Sequence, residues 1–432
     1  HFYFYRGKVK LPSVGVCIIL DVIFYIRLSL AFCRDRDGID RKSDRNRKGV
    51  SKMKNIFYGI SICLVLLSSC HLKEMKDKDE IDWSKYPIVE LSDPTRISIP
   101  VRDFEAEQKL YLVRDSLLFT YATFSQLSEL HLYRLQRDTL FWQRLLTQKG
   151  QGPLEILQNG RIHELPDGTI LLVSPCNKTK IFTLPAKFYQ LSSVASLKQW
   201  KSDVVPECFG YVSEITPIDS TRYILQTLRE NATSLFSLYI KGDTTVTDIV
   251  YPCPDREDYS QMSRTMMYSA PVYKRPSEER FCYMASSGRY GYTFQLDGDS
   301  MVNIHYLYNK PPRFILEKDG IGFRDAPESE MGQCITVTDR FIYVKFNVFT
   351  YSEFCENLDT HGQLAEEKNA GYDCWFNNKI HVFDWEGHPV RTYHLDHHIA
   401  SMVVDSRDCY LYAITKNVKT DDVSFIKYKL PE

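Results

Sequence analysis

The chain has 432 residues and a formal net charge of −1. This charge balance excludes the strongly basic surface that nucleic-acid-binding proteins present. From Cys70 onward the chain has 432 − 69 = 363 residues, which is long for one ordinary domain and suits a propeller or two domains. Aromatic residues make up 13% of the chain, with 28 Tyr and 24 Phe, and they favour β-strands because they pack well on a pleated surface.

Residues 1–52 precede the first methionine, Met53. The apolar stretch 11–33 has the length of a membrane helix, but Asp21 and Arg27 fall inside it and would be costly at a bilayer centre. Because a complete export segment follows, we expect 1–52 to be an untranslated or mis-set upstream segment with no part in the fold. A true N-terminal anchor is the alternative, and it would leave the later export segment unused.

Residues 53–69 have the layout of a signal peptide: a basic start, a short apolar run at 56–67 and small residues before a cleavage site. The apolar run is shorter than the roughly 20 residues of a spanning helix. Leu67-Ser68-Ser69-Cys70 resembles the lipobox of bacterial lipoproteins. The resemblance implies cleavage before Cys70, lipid on its thiol and an outer-membrane location facing the periplasm or the surface. An ordinary signal peptide is the alternative.

Residues 70–87 form the expected tether between the lipid and the folded domain. The run 71–80 is rich in charges and lacks glycine, as is typical of a solvated linker. It also resembles the Lys/acidic export signals that follow the cysteine in surface lipoproteins of some Gram-negative bacteria. The folded domain is expected to span 88–432.

A strand–turn–strand pattern recurs along this domain. Each copy pairs alternating strands around a tight turn whose Gly or Asp tolerates a positive φ angle. The copies lie at 132–142, 237–246, 292–304 and 380–393. A second type of hairpin occurs at 165–173, 337–344 and 403–412. Two hairpins in series make a four-stranded antiparallel sheet, and repetition of that unit is typical of a propeller.

The pattern predicts an all-β fold, a six-bladed β-propeller of four-stranded antiparallel blades. The predicted units are 108–147, 160–193, 208–250, 264–308, 330–395 and 399–429. The last unit offers three strands, and we expect the segment 96–100 to supply the fourth and close the ring, which would hide an open edge. A seven-bladed ring or a pair of β-sandwiches are the alternatives.

Two motifs resemble the six-bladed TolB-like and NHL-like propeller lipoproteins. Gly150-Gln151-Gly152-Pro153-Leu154-Glu155 precedes the turn 165–168 and then the strand 177–182, in the order found in that family. The late segment 377–387 is similar to the family's closing blades. Leu154 and Ile156 depart from the usual Gly and Phe. The resemblance implies the six-bladed fold and little about activity, and the glycine-rich turn lacks the Gly-Lys-Ser/Thr ending of a phosphate loop.

Cysteines and histidines suggest few chemical sites. The cysteines after Cys70 include no Cys-x-x-Cys pair, so a zinc ribbon is not indicated, and we expect most of them to be buried apolar fillers. His394, Asp396, His397 and His398 are expected on a loop between the fifth and sixth units. Such side chains suit a transition metal, but exposed histidines are usually solvated, and we assign no metal ligand and no cofactor.

No nucleophile–base pair is assignable, and no Gly-x-Ser-x-Gly motif occurs. The favoured function is therefore a non-catalytic binding or scaffold module for a glycan, a peptide or a partner protein, held at the membrane by the lipid on Cys70. The alternative is a calcium-dependent, lactonase-like or other hydrolase that uses the central channel.

An insertion around 348–377 enlarges the fifth unit and is the predicted ligand-facing feature. A connection of about 30 residues exceeds the usual loop length and is typical of functional or disordered segments. Its aromatic candidates for ligand binding are Tyr351, Tyr372 and Trp375. Cys355 and Cys374 form the predicted disulfide at its base. The alternative is that the aromatic side chains only pack against the blade and that both thiols stay reduced.

Overall fold

Antiparallel strands account for most of the described residues in this computed structural model. The structure describes residues 81–431 except 101–107, 123–128, 148–159, 175–178, 185–187, 189–199, 230–231, 253–263, 265–267, 287, 312–313, 317–322, 326–332, 347–376 and 417–422. All of the described residues belong to one unit, Asp77–Glu432.

The first four blades are four-stranded antiparallel sheets whose strands follow one another in chain order. Blade 1 contains β3 (Gln108–Val113), β4 (Leu117–Ala122), β5 (Leu130–Gln136) and β6 (Thr139–Thr147). Blade 2 contains β7 (Arg161–Glu164), β8 (Ile170–Ser174), β9 (Lys180–Leu184) and β10 (Lys201–Val204). Blade 3 contains β11 (Tyr211–Pro217), β12 (Arg222–Leu228), β13 (Phe236–Ile240) and β14 (Thr247–Ile249). Blade 4 contains β15 (Val272–Lys274), β16 (Arg280–Met284), β17 (Arg289–Asp297) and β18 (Ser300–Lys310).

Blades 5 and 6 share one long strand. Blade 5 contains β21 (Gln333–Val337), β22 (Phe341–Phe346), β23 (Asn377–Asp384) and the first half of β24 (Pro389–Val404). The second half of β24 begins blade 6 and is followed by β25 (Tyr410–Lys416) and β26 (Val423–Lys429). A short hairpin of β19 (Phe314–Leu316) and β20 (Phe323–Asp325), which the sequence pattern did not predict, lies between blades 4 and 5 in the chain.

Two N-terminal strands pair with the end of the chain. β1 (Ile88–Leu91) runs parallel to β24, and β2 (Thr95–Ile97) runs antiparallel to β26, with Ile97 opposite Phe425. β2 therefore occupies the fourth position beside the three strands of blade 6. Closure of the ring by this segment stays a prediction.

The predicted all-β propeller of four-stranded units is confirmed among the described residues. The predicted bounds of the second unit, 160–193, are too short, because its fourth strand is β10 at Lys201–Val204. The predicted tight turns are present, and positive φ falls on the expected glycines Gly242, Gly298 and Gly387. In the first turn, 136–138, it falls on Arg137 and not on Asp138. The predicted loop at 394–398 is wrong, because these residues continue β24 as strand. His394 and Leu395 pair with β1, and Ile399, just after the stretch, pairs with both β23 and β25, so strand pairing holds the backbone on either side of it.

Apolar side chains of neighbouring blades form the core. Trp385, at the turn between β23 and β24, is 1% exposed and packs among blades 4 and 5. Its indole nitrogen donates to the Thr338 carbonyl at 3.0 Å, and its own carbonyl accepts from the Thr293 hydroxyl at 2.8 Å. Trp385 therefore links the two blades through both packing and hydrogen bonds.

The first strands of several blades contact one another, as the innermost strands of a propeller do. β3 contacts β24, β24 contacts β21, β21 contacts β15, and β15 contacts β11. Polar residues on these strands therefore come together although they are far apart in sequence. Within the described ranges, no helix has the length and apolar character needed to cross a membrane.

Candidate functional site

The site residues predicted from the sequence lie outside the described residues. They are Cys70, the aromatic residues Tyr351, Tyr372 and Trp375, and the pair Cys355 and Cys374. The glycine-rich turn 150–155 also lies outside them. These assignments stay predictions.

The four later cysteines that are described all have free thiols. Cys282 is fully buried, and burial raises the pKa of its thiol, so it fits the predicted role of an apolar filler. Cys208 is exposed, and Cys334 and Cys409 are half-buried. The expectation that most of these cysteines are buried fillers is therefore wrong for this described set.

The histidine-rich stretch of β24 forms polar contacts with the N-terminal segment. His394 Nδ1 lies 3.0 Å from Glu90 Oε1, beside β1. The Asp396 carboxylate accepts from the Asp93 backbone amide at 3.0 Å and from the Tyr428 hydroxyl at 2.6 Å. Across the part of the chain that the structure describes, no group of three or more His, Cys, Asp and Glu side chains is arranged to hold a metal ion. We interpret these contacts as structural.

A different set of polar side chains comes together on the first strands of the blades. Residues two apart on a strand share a face, so each strand can present two side chains to the same region. Electrostatic interactions connect the members of the set across the blades. The set, which we call the inner ring, consists of Lys109 and Tyr111 on β3, Arg161 and His163 on β7, Glu214 on β11, Tyr273 on β15 and Cys334 on β21.

A buried ion pair joins two members of the inner ring. Arg161 is 8% exposed, and its Nη2 lies 2.5 Å from Glu214 Oε1, which joins blades 2 and 3. Burial alone would lower the pKa of Arg161, but the carboxylate of Glu214 outweighs it and raises that pKa. Arg161 Nε and Glu214 Oε2 are buried and have no hydrogen-bond partner among the described residues.

Lys109 and the two tyrosines complete the polar surroundings of this pair. Burial, and next the charge of Arg161, lower the pKa of Lys109 to about 8, so the ammonium form still predominates at neutral pH. Burial raises the pKa of Tyr111 to about 12 and also raises that of Tyr273. Both phenols are therefore neutral donors. The Tyr111 hydroxyl is buried without a hydrogen-bond partner among the described residues.

The fifth and sixth blades meet the ring at Cys334. Its thiol donates a weak hydrogen bond to the Met402 carbonyl on β24, with 4.0 Å between Sγ and O. Lys345 lies opposite Cys334 in the β21–β22 pair and is 1% exposed. Burial lowers the pKa of Lys345 to about 8. All six blades thus contribute backbone or side chains to this region.

His163 is neutral in the folded protein at ordinary pH. Burial, and next the charge of Arg161, lower the pKa of its imidazole to about 3. His381, stacked on Trp83 with ring centroids 4.0 Å apart, also has its pKa lowered to about 3, chiefly by burial. Both rings therefore stay uncharged in conditions where an unfolded histidine, with a pKa of about 6.5, takes up a proton.

Acid is expected to destabilise the protein through these two rings. Between pH 6.5 and 3 the unfolded chain binds more protons than the folded chain, so the free energy of unfolding falls as the pH falls. By about pH 4.5 each ring is expected to cost roughly 2–3 kcal/mol. Urea unfolding across this range measures the loss, which H163Q and H381Q should each reduce. H388Q is the control, because the His388 side chain is 73% exposed. Equal acid sensitivity in all three variants would contradict the expectation.

A groove of about 450 Å³ lies between blades 3 and 4. Its one cationic side chain, Arg222, is already paired with Asp219 at 2.7 Å and with Glu279. Asp299 also lines the groove, so carboxylates outnumber its cation, whereas cations outnumber carboxylates in the inner ring.

Sequence reasoning missed the inner ring. Its partners lie on different strands, and Arg161 and Glu214 are 53 positions apart. One signal was present in the sequence: charged residues occur within the first strand of the first three units, as in Lys109 and Glu214. Strands buried on both faces are normally apolar, so such charges mark positions that need a partner.

The chain matches a sequence family that has this architecture. The sequence model of the family described as TolB-like 6-blade propeller-like matches residues 112–407. No curated protein sequence matches the chain.

Two solved structures are similar at low identity. One, from Bacteroides fragilis NCTC 9343, is described as an exported protein, with 10% identity, a TM-score of 0.48, and 80% of this chain and 100% of that chain covered. The other is a member of the duf4221 family from Bacteroides vulgatus ATCC 8482, with 9% identity, a TM-score of 0.48, and 79% of this chain and 98% of that chain covered. The family match spans more than half of the sequence, and the chain belongs to the TolB-like six-bladed propellers.

Proposed function

We propose that this protein is a non-catalytic binding module of the cell envelope that holds a polar ligand at the inner ring. The observation that carries the proposal is a set of buried polar atoms without hydrogen-bond partners among the described residues. They are Tyr111 Oη, Arg161 Nε, His163 Nε2 and Glu214 Oε2. Buried polar groups in native proteins are nearly always satisfied, so a glycan, a peptide or a segment of a partner protein would supply the missing partners.

The chemistry of the ring supports binding over catalysis. The Cys334 thiol donates to a backbone carbonyl, which is not the general base that activates a cysteine nucleophile in enzymes. His163 has a pKa of about 3 and is therefore a weak base at neutral pH. The carboxylate of Glu214 is paired with Arg161. The hydrolase alternative instead requires bound calcium and turnover, and metal analysis with a lactone or ester assay separates the two functions.

Thermal unfolding with a panel of neutral oligosaccharides, organic acids, sugar phosphates and short peptides tests the proposed function. A ligand of the ring is expected to raise the melting temperature of the protein, since it binds the folded state alone. Y111F should reduce that gain, because it removes one buried hydroxyl and little else. Y223F is the matched control, since the Tyr223 hydroxyl donates to the Ser220 carbonyl outside the ring. Gains that are equal in Y111F and Y223F would rule out the ring as the ligand site.

The proposal also places the protein at a membrane through lipid on Cys70. The lipobox-like sequence 67–70 behind an apolar core supports it. Expression from Met53 with a labelled fatty acid is expected to label the wild type and not C70A, and only the wild type should partition with membranes. Equal labelling of both proteins would refute lipidation.

The insertion at 348–377 is proposed as a second contact surface for the ligand or a partner. Tyr351, Tyr372 and Trp375 supply aromatic rings of the kind that stack on sugars and anchor partners. Non-reducing peptide mapping tests the proposed Cys355–Cys374 bridge, and W375A tests the surface in a pull-down or glycan screen. Free thiols together with unchanged binding would remove this part of the proposal.

A further inference from the structure

We propose that the inner ring recognises an oxyanion carried by a hydroxylated small molecule, a carboxylate on a sugar acid or a phosphate on a sugar phosphate. This inference rests on the proposed function and names the class of ligand. It follows from three features of the ring: an excess of positive charge, a free donor set and a free acceptor set.

The inner ring contains two cationic side chains, Lys109 and Arg161, and one anionic side chain, Glu214. Arg161 pairs with Glu214, and Lys109 forms no ion pair with any described residue. The inner ring therefore carries one more positive than negative charge in its ionised form. Lys109 is half-buried, and a charge partly withdrawn from water is stabilised when an opposite charge accompanies it. An anionic group on the ligand supplies that charge, whereas a cation would add to the excess.

The donors suit an oxyanion in particular. The Arg161 guanidinium uses Nη2 for Glu214, and its Nε–H remains buried without a partner among the described residues. A planar guanidinium presents several parallel donors, which fit the two oxygens of a carboxylate or phosphate. The neutral hydroxyl of Tyr111, on the adjacent blade, adds a further donor without adding charge.

The unpaired hydrogen-bond acceptors of the inner ring indicate that the same ligand also carries hydroxyl groups. The His163 ring hydrogen-bonds the backbone of Ile215 in a way that favours its protonated form, so the ring is the donor in that bond. Since Nε2 has no partner, Nδ1 carries the proton and the neutral Nε2 is an acceptor. Glu214 Oε2 is a second free acceptor. A bare inorganic anion offers few or no protons to these two atoms.

Calorimetric titration of the full-length chain in detergent tests the inference with glucuronate, glucose 6-phosphate, glucose and inorganic phosphate. We expect glucuronate or glucose 6-phosphate to bind roughly ten- to hundredfold more tightly than glucose, the size of one charge-assisted contact. Comparison of the two charged sugars identifies the oxyanion. Each should also bind more tightly than inorganic phosphate, because only the sugars offer hydroxyls to His163 and Glu214.

Variants at Lys109 assign the preference to the ring. K109Q is expected to abolish the advantage of the charged sugar over glucose, and K109R, which keeps the charge, is expected to retain it. K201Q is the matched control, because Lys201 is exposed on β10. A retained advantage in K109Q would overturn the inference.

The outcomes separate this inference from the proposed function. If a neutral sugar or a peptide binds at least as tightly as the charged sugars, in a manner that Y111F weakens, the proposed function stands and the oxyanion inference is wrong. If inorganic phosphate binds as tightly as glucose 6-phosphate, the requirement for hydroxyls is wrong. If neither these four probes nor any member of the wider panel binds, both are wrong.

Discussion

E214A is expected to lower the free energy of unfolding by about 3–5 kcal/mol, because it leaves the Arg161 guanidinium buried without its carboxylate. The Arg161 and Glu214 side chains are only 10% and 16% exposed, so water cannot replace the lost partner fully. Urea unfolding followed by intrinsic fluorescence measures the change.

The exposed pair Arg222–Glu279 is the matched control. These side chains are 40% and 48% exposed, and E279A is expected to cost about 0–1 kcal/mol. A loss below about 1 kcal/mol in E214A would contradict the assignment of Arg161–Glu214 as a buried pair.

Removal of both partners of the buried pair gives a different expectation. The double variant R161M/E214L replaces two charges with apolar side chains of similar size, and such replacements are often neutral or stabilising. We expect its stability to be near that of the wild type while binding of the charged sugar is lost. The free energy of unfolding would then stay nearly constant while the affinity for the ligand falls. This is expected if the ion pair is retained for function.

The blades were predictable because their signals are local. A tight turn with Gly387 or Gly242 at positive φ joins two alternating strands within about a dozen residues, so one stretch of sequence specifies the hairpin. Repetition of such hairpins then indicated the architecture. The boundary between blades 5 and 6 is not specified by a local sequence signal. The stretch 394–398 is polar, which predicts a loop, but it continues β24, and its first two residues pair with β1, about 300 residues earlier in the chain.

The inner ring was not predictable for a related reason. Arg161 and Glu214 each look like an ordinary charged residue in a strand, and their proximity depends on the packing of separate blades. The sequence alone does not specify which side chains face the ring. His163 lies two residues after Arg161, so their shared face is a local signal, but the burial that lowers its pKa comes from other strands.

I97D is expected to lower the free energy of unfolding by about 3 kcal/mol or more, since it places an unpaired carboxylate in the core. Ile97 lies on β2, is 2% exposed and packs with residues of blades 1 and 6. I88D provides the matched control, because Ile88 lies on β1 and is 61% exposed. The same substitution there is expected to change stability by no more than about 0.5 kcal/mol.

Shortened proteins test the prediction that this N-terminal segment closes the ring. Just after β2, Ser98 hydrogen-bonds the first blade: its amide donates to the Asp138 carbonyl at 2.9 Å, and its carbonyl accepts from Leu140 at 2.8 Å. β2 itself pairs with β26 of the last blade. A protein that begins at residue 71 retains all of these contacts and is expected to melt at the temperature of the longer chain. A protein that begins at residue 100 lacks them, leaves the edge of β26 unpaired, and is expected to melt at a lower temperature and to self-associate in size-exclusion chromatography. If both proteins melt alike and remain monomeric, the ring does not depend on this segment, and closure by it is wrong.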